Sequence, residues 1–174
     1  MPAILLVDYD PAWPQLYEKE KALVLRVLGH YVSAIEHVGS TSVPGLGGRP
    51  TLDLLVGLPH FSLAERCVEP LQRIGYGFQG ESGIPQRYFF RKPDTSTWAD
   101  RTHTVHMVEE GSPEWQRMLR FRDYLRTHPE EARAYYQLKT ELAAEYDTNP
   151  LAYPLAKMEF ISSMLAKAEL ELRG

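Results

Sequence analysis

Apolar positions change period several times along the chain, and each change marks an element. Trp13, Leu16, Tyr17, Val24, Val27 and Leu28 recur at helical spacing. Asp10-Pro11 in front of them supplies a cap for the free amides and a proline suited to a first turn, and Gly29 is a natural stop. Tyr31 to Val38 reads as a strand entering Gly39-Ser40-Thr41-Ser42-Val43-Pro44-Gly45. After a glycine-rich loop, Thr51 to Val56 forms a second strand. Leu52, Leu54, Leu55 and Val56 make it mostly apolar, so it belongs inside the sheet with both faces covered. Ser62-Leu63-Ala64-Glu65 has the pattern of a capping box, opening a helix that ends near Gly75. Tyr76 to Phe78, Gln86 to Arg91 and Thr102 to Val108 read as further strands. Beyond them the pattern is helical. Ser112-Pro113-Glu114 starts one helix to about Arg126, Pro129 another to about Tyr146, and a last runs from about Tyr153 to Leu172.

A helix, then strands interleaved with one helix, then three helices predict an α+β fold. The expected architecture is a mixed β-sheet flanked by helices, with a C-terminal helical portion lying over it. No repeat, low-complexity tract or linker divides residues 1–174, so one domain is expected. Nineteen Lys and Arg stand against 23 Asp and Glu, a net charge of −4. That balance argues against broad nucleic-acid binding and leaves room for a local basic site. Cys67 is the only cysteine. It can form no intramolecular disulfide, and its place in a predicted helix reads as a small buried apolar residue. No leader is evident in Met1 to Asp10, and no apolar run approaches the roughly 20 residues that span a bilayer. A cytoplasmic chain without membrane contact is expected. Trp13, Trp98, Trp115 and the Tyr135/Tyr136 pair read as packing residues, not as base-stacking platforms.

Chemistry concentrates where the first strand ends. Gly39-Ser40 is followed by Asp53 on the next strand. Glycine lets a backbone approach a phosphate closely, and the following serine offers a hydroxyl and an amide to an anion. A carboxylate facing that turn can hold Mg²⁺, which neutralises and orients phosphate oxygens. The same residues have plainer readings. The turn can be an ordinary connection, and a carboxylate on an apolar strand can be paired with Arg or Lys instead of a ligand.

Gly39-Ser40 with Asp53 resembles the active-site signature of the nucleotidyltransferase superfamily, which has a polymerase β-like core. The longer text resembles the GrpB-like family through His37 to Leu46, Arg49 to Val56, Arg101-Thr102-His103 with His106, Phe121 to Arg126, and Tyr153, Lys157 and Phe160-Ile161. The resemblance implies a nucleotidyltransferase-like fold. It also implies binding of a nucleotide or phosphorylated small molecule at Gly39, Ser40, Thr41 and Ser42, and transfer of a nucleotidyl group with a divalent metal on Asp53. The sequence departs from that pattern in two places. Leu55 stands where a second carboxylate belongs, since positions 53 and 55 share a strand face. His106 stands where a third acid belongs on a later strand. Asp53 and His106, joined by His37 or His103, would favour Zn²⁺ or Mn²⁺ over Mg²⁺. His103 falls on the opposite strand face from His106 if the strand is regular. GrpB-like domains also occur fused to dephospho-coenzyme A kinase, which suggests the alternative of a non-catalytic accessory module.

Basic residues complete the expected site. Arg49 precedes Asp53, Arg87 and Arg91 share a strand face, and Arg101 opens the histidine strand. Together they suit a triphosphate. Lys157 starts the apolar stripe Phe160, Ile161, Met164, Leu165 and Ala168, where its stem either snorkels outward or carries its ammonium to a phosphate near Asp53. The acidic C-terminal helix is a candidate homodimer contact.

Overall fold

The computed structural model describes residues 4–97 and 99–174; Trp98, expected among the packing residues, lies outside them. Helix α1 (Trp13–Leu28) is entered through Asp10, whose Oδ1 accepts the Ala12 amide at 2.8 Å. Strand β1 (Ala34–Val38) starts later than expected, because the Tyr31 amide donates to Leu28 in the turn that closes the helix. Strand β2 (Leu52–Leu58) follows a 3₁₀ turn over Ser40–Ser42 and the Gly47-Gly48 loop. Helix α2 (Glu65–Arg73) starts without a side-chain cap, so the expected capping box does not form. Phe61–Leu63 wind instead into a 3₁₀ turn, tied to the far end of the sheet by the Phe61 amide, which donates to Glu109. Strands β3 (Gly77–Phe78), β4 (Tyr88–Lys92) and β5 (His103–Glu109) complete a five-stranded sheet.

The strand order is β1-β2-β5-β4-β3. Only β2 and β5 run parallel, and the other pairs are antiparallel, so the sheet is mixed. Alternation along β2 sends Leu52, Leu54, Val56 and Leu58 to one face, where they pack with Trp13, Tyr17, Val24 and Leu28 of α1 and with Cys67 and Leu71 of α2. Cys67 is fully buried there, and burial pushes its thiol up to about 11, as suits a packing residue. Asp53, Leu55 and Gly57 point to the other face.

That second face is covered by helix α3 (Pro113–Thr127), whose Ser112 cap accepts the Trp115 amide. Leu55, Val38 and Val108 pack against Trp115. Gly57 is required here, since a Cβ would come within 2.8 Å of the Trp115 ring. Arg122 of α3 donates to Glu36 at 2.6 Å and to the His37 carbonyl at 3.0 Å, and Arg126 donates to the Ser42 carbonyl at 2.9 Å. These two arginines fasten α3 to the end of β1 and to the turn after it. Helix α4 (Pro129–Glu145) follows. The expected last helix is interrupted at Lys157, which separates α5 (Tyr153–Ala156) from α6 (Met158–Arg173). Tyr124, Leu125, Ala132, Tyr135, Met164 and Ala168 join these helices to Val43 and Leu46. No described helix is long and apolar enough to cross a membrane.

Leu55 is fully buried beneath α3. Leu55→Asp, which restores the missing acid, is therefore expected to destabilise the fold by about 3–5 kcal/mol, as an uncompensated buried charge does; urea unfolding measures it.

Candidate functional site

The first residues of β2 lie between the end of β1 and the start of β5. Asp53 is opposite Val38 on one side and Thr104 on the other. Gly39 just beyond Val38 has φ +74° and ψ −177°, a conformation essentially reserved to glycine. A Cβ at Gly39 would also overlap the Asp53 carboxylate. The close approach that glycine allows here is to Asp53 itself.

Asp53 opens into a cavity of about 180 Å³. The sheet supplies Asp53, Thr104, His106 and Phe89, and the turn after β1 supplies Ser40. Arg49 and Thr51 enter from the loop before β2, and Arg101 from just before β5. The C-terminal helices close it with Lys139 of α4, Tyr153 of α5 and Lys157 between α5 and α6. Four cationic side chains thus meet one carboxylate.

Each charged group is displaced from its ordinary state. Burial raises the Asp53 carboxyl, opposed by the Thr104 hydroxyl that donates to it and by Arg101, Arg49 and Lys157 nearby. Burial, with Lys157 close by, lowers Lys139 to about 7; burial and Arg49 lower Lys157 to about 8. Burial and Arg101 lower Arg49 to about 10, so both guanidinium groups stay charged at neutral pH. The Lys139 ammonium donates to Ser40 Oγ and to the Gly47 carbonyl, both at 2.8 Å, and lies over the Tyr135 ring at 4.7 Å. A Cβ at Gly48 would crowd Ser40 Cβ at 2.8 Å and the Lys139 ammonium at 2.9 Å, so glycine makes room for this packing. Lys157 lies over the Tyr153 ring at 4.3 Å.

Thr104 has one proton, which goes to Asp53, so it accepts from His106 Nε2 at 3.3 Å. This leaves His106 Nδ1 as a buried acceptor with no hydrogen-bond partner among the described residues. Burial, reinforced by Arg87, Arg101 and Arg117, lowers His106 to about 3, so the ring is neutral.

The expected residues divide into two groups. Asp53, His106, Ser40, Arg49 and Lys157 are brought together, with Gly39 behind Asp53. The other two histidines lie across the sheet. His37 stacks on Tyr17 of α1 at 4.5 Å and bonds Thr41 Oγ1 at 2.9 Å, while burial, Arg126 and Arg122 lower it to about 4. His103 faces Glu20 of α1 at 3.7 Å. The regular pleat of β5 separates His103 from His106, and no bulge brings them to one side. Thr41 and Ser42 use their hydroxyls within the turn, on the Thr51 and Gly39 carbonyls. Arg87 donates to the carbonyls of Glu81 and Ser82. Arg91, opposite Thr104 on β4, lies on the cavity's side of the sheet; neither it nor Arg87 lines the cavity.

Lys139, Tyr153, Thr104 and Phe89 line the cavity without having been singled out for it from the sequence. A signal for Lys139 existed: with Ala132 and Tyr135 it occupies the buried stripe of α4, an expensive place for an ammonium without partners.

The donor set does not fit the expected divalent metal, whether Mg²⁺, Mn²⁺ or Zn²⁺. Among the described residues Asp53 is the cavity's one carboxylate, Leu55 is core, and His106 Nε2 is engaged with Thr104, which leaves at most the one imidazole nitrogen Nδ1 beside Asp53. No group of three or more His, Cys, Asp or Glu that could hold a metal occurs among the described residues. The positive charge in the cavity comes from protein side chains.

A mixed sheet with Gly-Ser and an aspartate on adjacent strands is a nucleotidyltransferase-like fold. At the level of fold alone, the chain is similar to the structure of the GLD-2/RNP-8 complex, with TM-score 0.57 and 14% identity over 88% of this chain and 60% of that one. Closer similarities are specific. The family model described as GrpB protein matches residues 3–167, and the chain belongs to the GrpB family. The crystal structure of conserved protein GrpB from Enterococcus faecalis superposes with TM-score 0.88 and 32% identity, covering 98% of this chain and all of that one. UPF0157 protein PA4798 of Pseudomonas aeruginosa is 40% identical over 95% of this chain and 67% of its own length. UPF0157 protein YqkA of Bacillus subtilis is 35% identical over 97% of this chain, which spans about half of YqkA (48%). A dephospho-CoA kinase of Mycolicibacterium paratuberculosis is 25% identical over 88% of this chain and 43% of the kinase.

Gly39→Ala is expected to lose about 2–3 kcal/mol of stability through its backbone conformation alone, with further loss from displacement of Asp53; chemical denaturation checks it. Lys139 releases its proton near pH 7 when folded and near 10.5 when unfolded. Between those values the unfolded state binds more protons, so stability rises with pH, by at most about 1.4 kcal/mol per pH unit from this group. Below pH 7 both states are protonated and its slope vanishes. Lys139→Met is expected to flatten the rise above pH 7, leaving the Lys157 contribution between about 8 and 10.5; unfolding series across that range measure the slopes.

Proposed function

We propose that the chain binds a phosphorylated small molecule, a nucleotide or a phosphorylated metabolite, by its phosphate in the cavity at Asp53. The observation that carries this reading is the convergence of Arg49, Arg101, Lys139 and Lys157 on one small cavity, in a chain whose net charge is −4. Cations gathered from four separate segments against the overall charge suit an anionic ligand. At about 180 Å³ the cavity is smaller than the roughly 300–1,000 Å³ of pockets that enclose drug-sized ligands, so a phosphate enters and the rest of the ligand extends outward.

Binding without chemistry is preferred over nucleotidyl transfer. Transfer would use Asp53 with a divalent ion, supported by further carboxylates. Positions 55 and 106 supply a core leucine and a neutral imidazole instead. The similarity to part of a dephospho-CoA kinase favours coenzyme A precursors among the ligands to be tried.

The test is a thermal-shift series with nucleoside triphosphates and dephospho-coenzyme A, beside their unphosphorylated counterparts. A phosphorylated ligand at about a hundred times its Kd is expected to raise Tm by about 5–10 °C. Its counterpart lacking phosphate should leave Tm unchanged, and Lys157→Met should shrink the shift. Absence of a shift with every phosphorylated compound would rule the reading out.

A further inference from the structure

We infer that the cavity takes a phosphate group free of any divalent ion, with Arg49, Arg101 and Lys157 neutralising it and Asp53 serving as their counter-ion, not as a metal ligand. The inference rests on the phosphate-binding reading above and specifies the form of ligand that reading admits: an uncomplexed phosphate or pyrophosphate group.

Three observations carry it. First, Asp53 is already engaged on one oxygen and hemmed in at the other. One oxygen accepts the Thr104 hydroxyl, and the carboxylate is pressed against the space Gly39 leaves open. Second, Arg101, Arg49 and Lys157 all act electrostatically on Asp53, each favouring its charged form. They line the cavity into which Asp53 opens, and a divalent ion there would meet repulsion from all three and from Lys139. Third, the residues that would hold the ion in an acidic centre are absent. Leu55 is sealed beneath Trp115, and His106 Nε2 is engaged with Thr104. One carboxylate leaves most of the surrounding positive charge unbalanced, and a phosphate dianion beside it reduces that excess.

This arrangement and a metal-bridged one respond in opposite directions to the same two changes. Mg²⁺ complexes pyrophosphate and lowers its charge, so it weakens binding to protein cations and strengthens binding through a metal-holding carboxylate. Asp53→Asn keeps the shape and the acceptor for Thr104 while removing the negative charge. It preserves or tightens binding to a cation cluster and abolishes binding through a metal.

The experiment is calorimetric titration of the full chain with inorganic pyrophosphate, in EDTA and in excess Mg²⁺, repeated with Asp53→Asn and Lys157→Met after their melting curves are recorded. Binding is expected in EDTA, weakened by Mg²⁺, at least as tight in Asp53→Asn, and weaker by about tenfold or more in Lys157→Met, the size of one charge-assisted hydrogen bond. Binding that appears only with Mg²⁺, or that disappears in a folded Asp53→Asn, overturns the inference and leaves the phosphate-binding reading standing. Should Asp53→Asn not fold, the EDTA and Mg²⁺ arms with the unsubstituted chain decide by themselves. No binding to pyrophosphate under any condition, together with no thermal shift from any phosphorylated compound, removes the phosphate-binding reading and this inference with it.

Discussion

The cavity on the α3 side of the sheet is organised around a half-buried carboxylate. Strand β2 is otherwise apolar, and its pleat puts Asp53 on the face that also holds Leu55 and Gly57. A desolvated carboxylate requires hydrogen bonds and countercharge nearby. Thr104 supplies the hydrogen bond from the adjacent parallel strand, and Arg49, Arg101 and Lys157 supply the charge from three distant stretches of chain. Gly39 makes the approach possible by lacking a side chain. Lys157 lies between α5 and α6, so the stretch that joins these helices also brings a cation to Asp53.

The compensation overshoots. Two lysines and two arginines surround one acid, and their mutual repulsion adds to desolvation in lowering Lys139, Lys157 and Arg49. Lys139 is held in this company by Ser40, the Gly47 carbonyl and the Tyr135 face, so the residue after Gly39 is linked directly to α4. On the proposed reading, this cluster of like charges held by packing amounts to a preference for an anionic ligand. Because the chain as a whole is acidic, that preference is local and suits a small anionic group more than an extended polyanion.

The sheet and most helices were legible in the sequence because period-2 and period-3.6 patterns report burial directly. The fold class followed from the order of those elements. Where the reading slipped, a tertiary contact prevailed over a local signal. Ser62-Leu63-Ala64-Glu65 has capping-box letters, yet the Glu109 carboxylate draws the Phe61 amide into a 3₁₀ turn. One helix was expected from about Tyr153 to Leu172, yet it is interrupted at Lys157. In the site, Gly39, Ser40, Asp53 and His106 were legible because each is a polar or conformationally special residue against an apolar background. His37 and His103 share that appearance, and only strand parity, with the stacking of His37 on Tyr17, sends them to the α1 side. Lys139 was not legible from motif spacing, since its partners lie about ninety residues away along the chain.

The division of the α3-facing surface explains why the acidic centre takes the form it does. Asp53 and Leu55 are neighbours on one strand face, separated by a single pleat repeat, yet one lines a polar cavity and the other is sealed beneath Trp115. The boundary between them is drawn by α3, which Arg122 and Arg126 fasten to the end of β1 and to the Gly-Ser turn. An acid at position 55 would have to be solvated or metal-bound, and either requires α3 to stand away from the sheet. With α3 tied down by its own arginines, position 55 must be apolar. The missing second carboxylate and the close cover of α3 are therefore one structural fact, and the cations that converge on Asp53 supply the charge that a metal centre would otherwise bring.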